Sequence, residues 1–96
     1  MIHDVVLQPL KTHLDERGYF RELIRVTDPF FREGFGQWSM SRMHQDVVKA
    51  WHIHRIQTDW WFVGRGVLRV ALHDTRAAAS TRGETDEFIL GDDRPP

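Results

Sequence analysis

The chain has 96 residues, 13 basic and 14 acidic side chains, a formal charge of −1 and no cysteine. One domain fits this length, and roughly 60–65% of the unfolded chain's surface can be buried. No basic excess points to nucleic acid, disulfides and thiolate zinc sites are excluded, and no apolar run approaches the roughly 20 residues that span a bilayer. The opening Met1-Ile2-His3-Asp4 shows no basic segment leading into an apolar run. A soluble chain is predicted, and the lack of cysteine suits the cytoplasm.

In chain order the sequence reads as short strands between turns. Residues 5–7 are apolar and β-branched, and Pro9 makes them an edge or a strand end. The tetrad DERG, residues 15–18, is a turn, opened by Asp and closed by a Gly that tolerates positive φ. Residues 19–26 fit a strand or a helix by local pattern, and the turn before them favours a strand. Residues 28–36 begin with Asp-Pro and form a loop or one helical turn. Further strands are predicted at 37–42, 47–55 and 59–63, where β-branched and aromatic residues gather. GRG, residues 64–66, then turns the chain into VLRVALHDT, with Leu68, Val70 and Leu72 on one face and Arg69, Ala71 and His73 on the other. Residues 76–84 are a loop, residues 86–90 begin a last strand, and GDDRPP ends the sequence. Several short strands at close spacing predict an all-β sandwich or barrel.

The chemistry gathers in KAWHIHRIQTDWWFVGRG, residues 49–66. In a strand, alternation puts His52 and His54 on one face. With Asp59 and Gly66 they match His-x-His-x4-acid-x6-Gly, a spacing that two imidazoles and a carboxylate can use to hold Fe(II), Mn(II), Ni(II) or Zn(II). The alternative is structural: paired strand histidines pack or hydrogen-bond, Asp59 serves a turn, and Trp51, Trp60, Trp61 and Phe62 fill a core, with one tryptophan lining a cavity or interface. GRG lacks the following helix that a phosphate loop requires.

Four stretches together, HLDERGYFRE, FGQWSMS, VVKAWHIHRIQTDWWFVGRGVLRVALHDTR and STRGE, resemble the dTDP-4-dehydrorhamnose 3,5-epimerase family in order and spacing. The resemblance implies a cupin jelly-roll barrel, with residues 1–96 as one domain lacking the C-terminal strands expected of the family. It implies a homodimer, a nucleotide-sugar substrate, and no cofactor, nucleic acid or membrane. It places a general base at His52 and substrate contacts at Arg17, Phe20, Glu22, Gln37, Ser39, Lys49 and His54. Ser39 stands where the family has Asn, Lys49 where it has Arg, His54 where it commonly has Gln, and Asp59 near a family Lys. The family's general acid, a tyrosine, has no counterpart, since Tyr19 stands elsewhere in the sequence. The resemblance therefore implies little or no epimerase activity for these 96 residues by themselves.

The reaction so implied needs a base for a proton beside a ketone, an acid on the opposite face, and a group that steadies the enolate. Histidine suits the first role because its ordinary pKa, about 6.5, leaves it neutral yet basic near pH 7. Lys49 can hold a phosphate as a point charge, without the bidentate fork of Arg. Asp59 reverses the charge expected near the enolate. That reversal favours the alternatives: a metal-binding cupin using His52, His54 and Asp59, or a non-catalytic sugar-nucleotide-binding domain. The structural alternative for Arg17 and Glu22 is a surface ion pair of little worth, and their agreement with the family's spacing favours ligand contact instead.

Overall fold

The computed structural model describes residues 1–29, 31 and 34–92. Among them the secondary structure is all β, in two antiparallel hairpins: β1 (His13–Asp15) with β2 (Gly18–Phe20), and β3 (Val67–His73) with β4 (Thr85–Gly91). No helix among the described residues is long and apolar enough to cross a membrane. The chain divides into two compact units, Met1–Leu23 with Trp61–Pro96, and Ile24–Trp60.

The first hairpin follows from DERG. Its register pairs Asp15 with Gly18 and His13 with Phe20, leaving residues 16 and 17 as the turn. Asp15 Oδ1 accepts the Arg17 backbone N–H at 2.8 Å, an Asx turn. Gly18 takes φ +140°, a value that side chains disfavour. The strand predicted over 19–26 is thus confined to its first residues, inside β2.

The second hairpin is the main ladder of its unit, running in register from Val67↔Gly91 to His73↔Thr85. Leu68, Val70 and Leu72 oppose Leu90, Phe88 and Asp86 on the covered face, as the alternation predicts. The other face is solvated. There Arg69 approaches Glu87 at 3.9 Å, and His73 Nδ1 meets Thr85 Oγ1 at 2.7 Å. Buried apolar residues among those described are Ile2 and Val70 alone.

An acid–base clasp fastens the N-terminal segment to the loop between β3 and β4. Asp74 is 4% exposed. Its carboxylate accepts Arg76 N–H at 3.0 Å, Arg76 Nε at 2.9 Å, Arg76 Nη2 at 2.9 Å and Thr81 Oγ1 at 2.6 Å. Arg76 also donates to the His3 carbonyl at 2.7 Å and Asp4 Oδ2 at 2.9 Å. The Ile2 N–H donates to Asp86 Oδ2 at 2.6 Å, and the His3 N–H to Thr81 Oγ1 at 3.0 Å. The Arg76 guanidinium, then the Thr81 hydroxyl, hold the Asp74 carboxyl well below the usual carboxylate range. Residues 5–7, predicted as a strand, instead follow a turn in which Val5 N–H reaches the Ile2 carbonyl at 3.3 Å.

The strands predicted at 37–42, 47–55 and 59–63 are not formed. β-propensity is realised only against a hydrogen-bonded neighbour, and a lone strand is not stable. In the second unit the backbone turns instead, at Asp28 (N–H to the Arg25 carbonyl, 2.9 Å) and at Val47 (N–H to the His44 carbonyl, 3.3 Å). Trp51, Trp61 and Phe62, read as core, are 68%, 61% and 50% exposed. Trp60 is partly covered by Phe31, stacked at 4.4 Å between ring centroids. With no strand at 59–63, GRG is not a hairpin turn. Gly66 lies instead against the far end of β4, its N–H on Asp92 Oδ2 at 2.8 Å and its carbonyl taking the Asp92 N–H at 2.9 Å. Part of the predicted 28–36 loop (residues 30, 32 and 33) and the tail 93–96 lie outside the described residues.

Candidate functional site

The predicted site residues fall in both units. In the first unit, Arg17 and Phe20 line a shallow depression of about 270 Å³ together with Asp15, Gly18 and Tyr19. The tight turn puts Arg17 at the hairpin tip, with its side chain 84% exposed. Its guanidinium donates to Asp15 Oδ2 at 2.8 Å, and this contact holds the Asp15 carboxyl below its ordinary value. Beside it, Arg21 lies over the Tyr19 ring at 4.3 Å and donates to Thr12 Oγ1 at 2.6 Å. Glu22 follows β2 and is exposed. The depression thus offers a guanidinium, the carboxylate paired with it and two aromatic rings to a ligand.

In the second unit, Gln37 Nε2 donates to Ser39 Oγ at 2.9 Å, so two predicted contacts form one local pair. Lys49 Nζ reaches Ser41 Oγ at 3.4 Å, a partner the sequence reading did not single out. His52 is exposed and, among the described residues, makes no side-chain hydrogen bond or ion pair. Its imidazole is therefore accessible to a ligand.

His54 and Asp59 do meet. His54 Nε2 lies 3.1 Å from Asp59 Oδ2, and Gln57 Nε2 donates to Asp59 Oδ1 at 3.1 Å. Gln57 Nε2 also lies 3.4 Å from His54 Nε2. The His54–Asp59 approach is an ion-pair distance, whereas the Gln57 amide nitrogen, which can only donate, makes the hydrogen bond to the ring nitrogen. The bend at residues 55–56 brings the histidine and the acid together across five positions. Gln57 was missed by the sequence reading; its signal was a carboxamide within three residues of both a histidine and an aspartate. Among the described residues no three His, Cys, Asp or Glu groups are arranged to hold a metal ion, so His52 does not join the His54–Asp59 pair in such a cluster.

Two curated proteins similar to this chain are named for polysaccharide or glycan biosynthesis. Over 95 residues the chain is 43% identical to the spore coat polysaccharide biosynthesis protein SpsL of Bacillus subtilis strain 168, a match covering 99% of this chain and 62% of that protein. Over 92 residues it is 32% identical to the probable low-salt glycan biosynthesis epimerase Agl13 of Haloferax volcanii, covering 95% of this chain and 59% of that protein. The chain thus spans about three-fifths of the length of these relatives. No family model matches it. No solved structure matches it.

Proposed function

We propose that this chain carries the base and part of the substrate site of a sugar-nucleotide epimerase or isomerase in deoxysugar and polysaccharide biosynthesis, on a cupin jelly-roll framework. The observation that carries the reading is the 32% identity, along 95% of the chain, to a protein named as a probable glycan biosynthesis epimerase. The likeness to a polysaccharide biosynthesis protein along 99% of the chain supports it.

The substrate in this reading is a dTDP-4-keto-hexose. His52, accessible and unengaged, takes the proton on the carbon beside the ketone, and the electron pair moves onto the carbonyl oxygen as an enolate. Return of a proton from the opposite face inverts that carbon; return from the same imidazole exchanges it with solvent. Exchange thus requires the base and a group that steadies the enolate, whereas inversion requires an acid on the opposite face as well. In the first unit Arg17 offers a cation for a phosphate, and the depression bearing Phe20 receives an aromatic base or sugar face; in the second, Lys49 offers a cation of its own. Glu22, Gln37, Ser39 and His54 offer polar contacts to the sugar and nucleotide.

The test is binding of dTDP-4-keto-6-deoxyglucose, followed by deuterium uptake from solvent into the bound sugar. Binding with exchange that His52→Ala abolishes is expected. Binding without exchange would leave a non-catalytic sugar-nucleotide-binding domain, and no binding would refute the proposal.

A further inference from the structure

We propose that Asp15 is a specificity-determining residue: as the standing counter-ion of Arg17 it holds off a phosphate that brings no other contact, so that the depression on the β1–β2 hairpin retains only a phosphate joined to a ring. The inference rests on the nucleotide-sugar reading above and adds to it the residue that sets the threshold for binding.

Arg17 is the cation of this depression, and Asp15 lines it beside Arg17, Gly18, Tyr19 and Phe20. The two residues are joined twice. Asp15 Oδ1 accepts the Arg17 backbone N–H at 2.8 Å, and Oδ2 accepts Nη2 at 2.8 Å. One carboxylate thus builds the turn with one oxygen and engages the guanidinium with the other. The first contact fixes where Arg17 leaves the backbone, so the second forms with little added ordering. With Glu16 between them, the tip carries two carboxylates to one guanidinium. Of these two, only Asp15 pairs with the guanidinium among the described residues.

An incoming phosphate meets the carboxylate as well as the guanidinium. It must take or share the Nη2 donor with a like charge alongside. The Arg17 and Asp15 side chains are 84% and 43% exposed, so water screens the attraction and the repulsion alike. A bare phosphate therefore gains little here. The remaining contact comes from the rings of Tyr19 and Phe20, which line the same depression and offer faces on which a base or sugar can lie. Removing the Asp15 charge lowers the threshold for any phosphate and does nothing for an uncharged ligand.

The experiment titrates pyrophosphate, dTDP and thymidine against the 96-residue chain at low ionic strength, followed by the amide signals of residues 13–20. Asp15→Asn keeps an acceptor oxygen for the turn and removes the charge. It is expected to bind pyrophosphate and dTDP roughly three- to fivefold more tightly than the wild type, and thymidine, which has no phosphate, equally. Glu16→Gln should gain less, and in Arg17→Ala the Asp15→Asn change should bring no gain. Unchanged or weaker pyrophosphate binding, an equal gain for thymidine or from Glu16→Gln, or a gain that survives Arg17→Ala would overturn the proposal. So would pyrophosphate that binds neither the wild type nor Asp15→Asn. Should Asp15→Asn lose the hairpin signals, the wild type decides. Its Asp15 carboxyl, held below the ordinary value by Arg17, is expected to titrate higher, by ¹³C NMR, with pyrophosphate bound; no movement would overturn the proposal. A wild-type chain that binds neither dTDP nor dTDP-glucose would remove the nucleotide-sugar reading, while pyrophosphate binding to Asp15→Asn still decides the part played by Asp15.

Discussion

Gly91→Ala should open the β3–β4 hairpin from its loose end, and Gly66→Ala should not. Gly91 has φ +133° and ends β4 opposite Val67. A Cβ built there meets the Gly66 carbonyl oxygen in hard overlap, and the Val67 Cα at 2.9 Å. Both are backbone atoms of the ladder, so no side-chain rotation relieves the contact. A side chain at such a φ costs roughly 1–3 kcal/mol. Separating the strands to make room also gives up the two Gly66–Asp92 hydrogen bonds, each worth roughly 0.5–1.5 kcal/mol. Together these predict a loss of roughly 2–6 kcal/mol, or about one and a half to four decades in the opening equilibrium. Gly66 has φ +84°, with open space around its added Cβ. Its replacement incurs only the left-handed penalty of roughly 1–2 kcal/mol, about one decade. Amide hydrogen exchange over residues 67–73 and 85–91 measures both. Equal protection in the two variants would refute the reasoning, because the steric contact with Gly66 and Val67 is all that separates them.

Three further outcomes follow from the structure. Ile2→Ala removes three buried carbons from a residue 6% exposed and should destabilise the first unit by roughly 2–4 kcal/mol in urea melts; a change within experimental error would show that Ile2 is not part of the core. The Asp74 carboxyl sits below its ordinary value near 3.8, so its stabilisation is complete above that pH and is lost as pH falls through the lower, folded-state value. Protection of the Ile2 and His3 amides should therefore hold from neutrality to about pH 4 and fall only below it, whereas Asp74→Asn should give low protection at every pH. Arg17→Ala removes an exposed pair of little structural worth, and should leave the β1–β2 hairpin signals in place while weakening dTDP binding roughly tenfold; unchanged affinity, measured calorimetrically, would remove Arg17 from the site.

What the sequence revealed depended on how local the physics was. DERG carries its own Asx acceptor and its own positive-φ glycine, so the β1–β2 turn was readable. Leu68, Val70 and Leu72 alternate with Arg69, Ala71 and His73, so β3 and its covered face were readable too. Residues 37–42, 47–55 and 59–63 have the same β-rich composition, yet form no ladder, because strand propensity measures fit to a partner that composition cannot name. The misreading of GRG followed from this: with no strand before it, Gly66 is used against Gly91 and Asp92, some 25 residues on. The N-terminal clasp was invisible for a related reason. Its contacts join Ile2 to Asp86 and His3 to Thr81, 84 and 78 positions apart, and no pattern around either partner announces the other. At the site, the His54–Asp59 pair could be anticipated from spacing, whereas the part played by Gln57 required atomic positions.

Deuterium uptake from solvent into dTDP-4-keto-6-deoxyglucose, compared between the wild-type chain and His52→Ala, tests the central claim most directly. The account predicts exchange at the carbon beside the ketone by the wild type, falling by roughly 10²–10⁴ in the variant, as expected for loss of a positioned base, with nucleotide-sugar binding retained. Exchange undiminished in His52→Ala, or no exchange by a wild-type chain that binds the sugar, would contradict it.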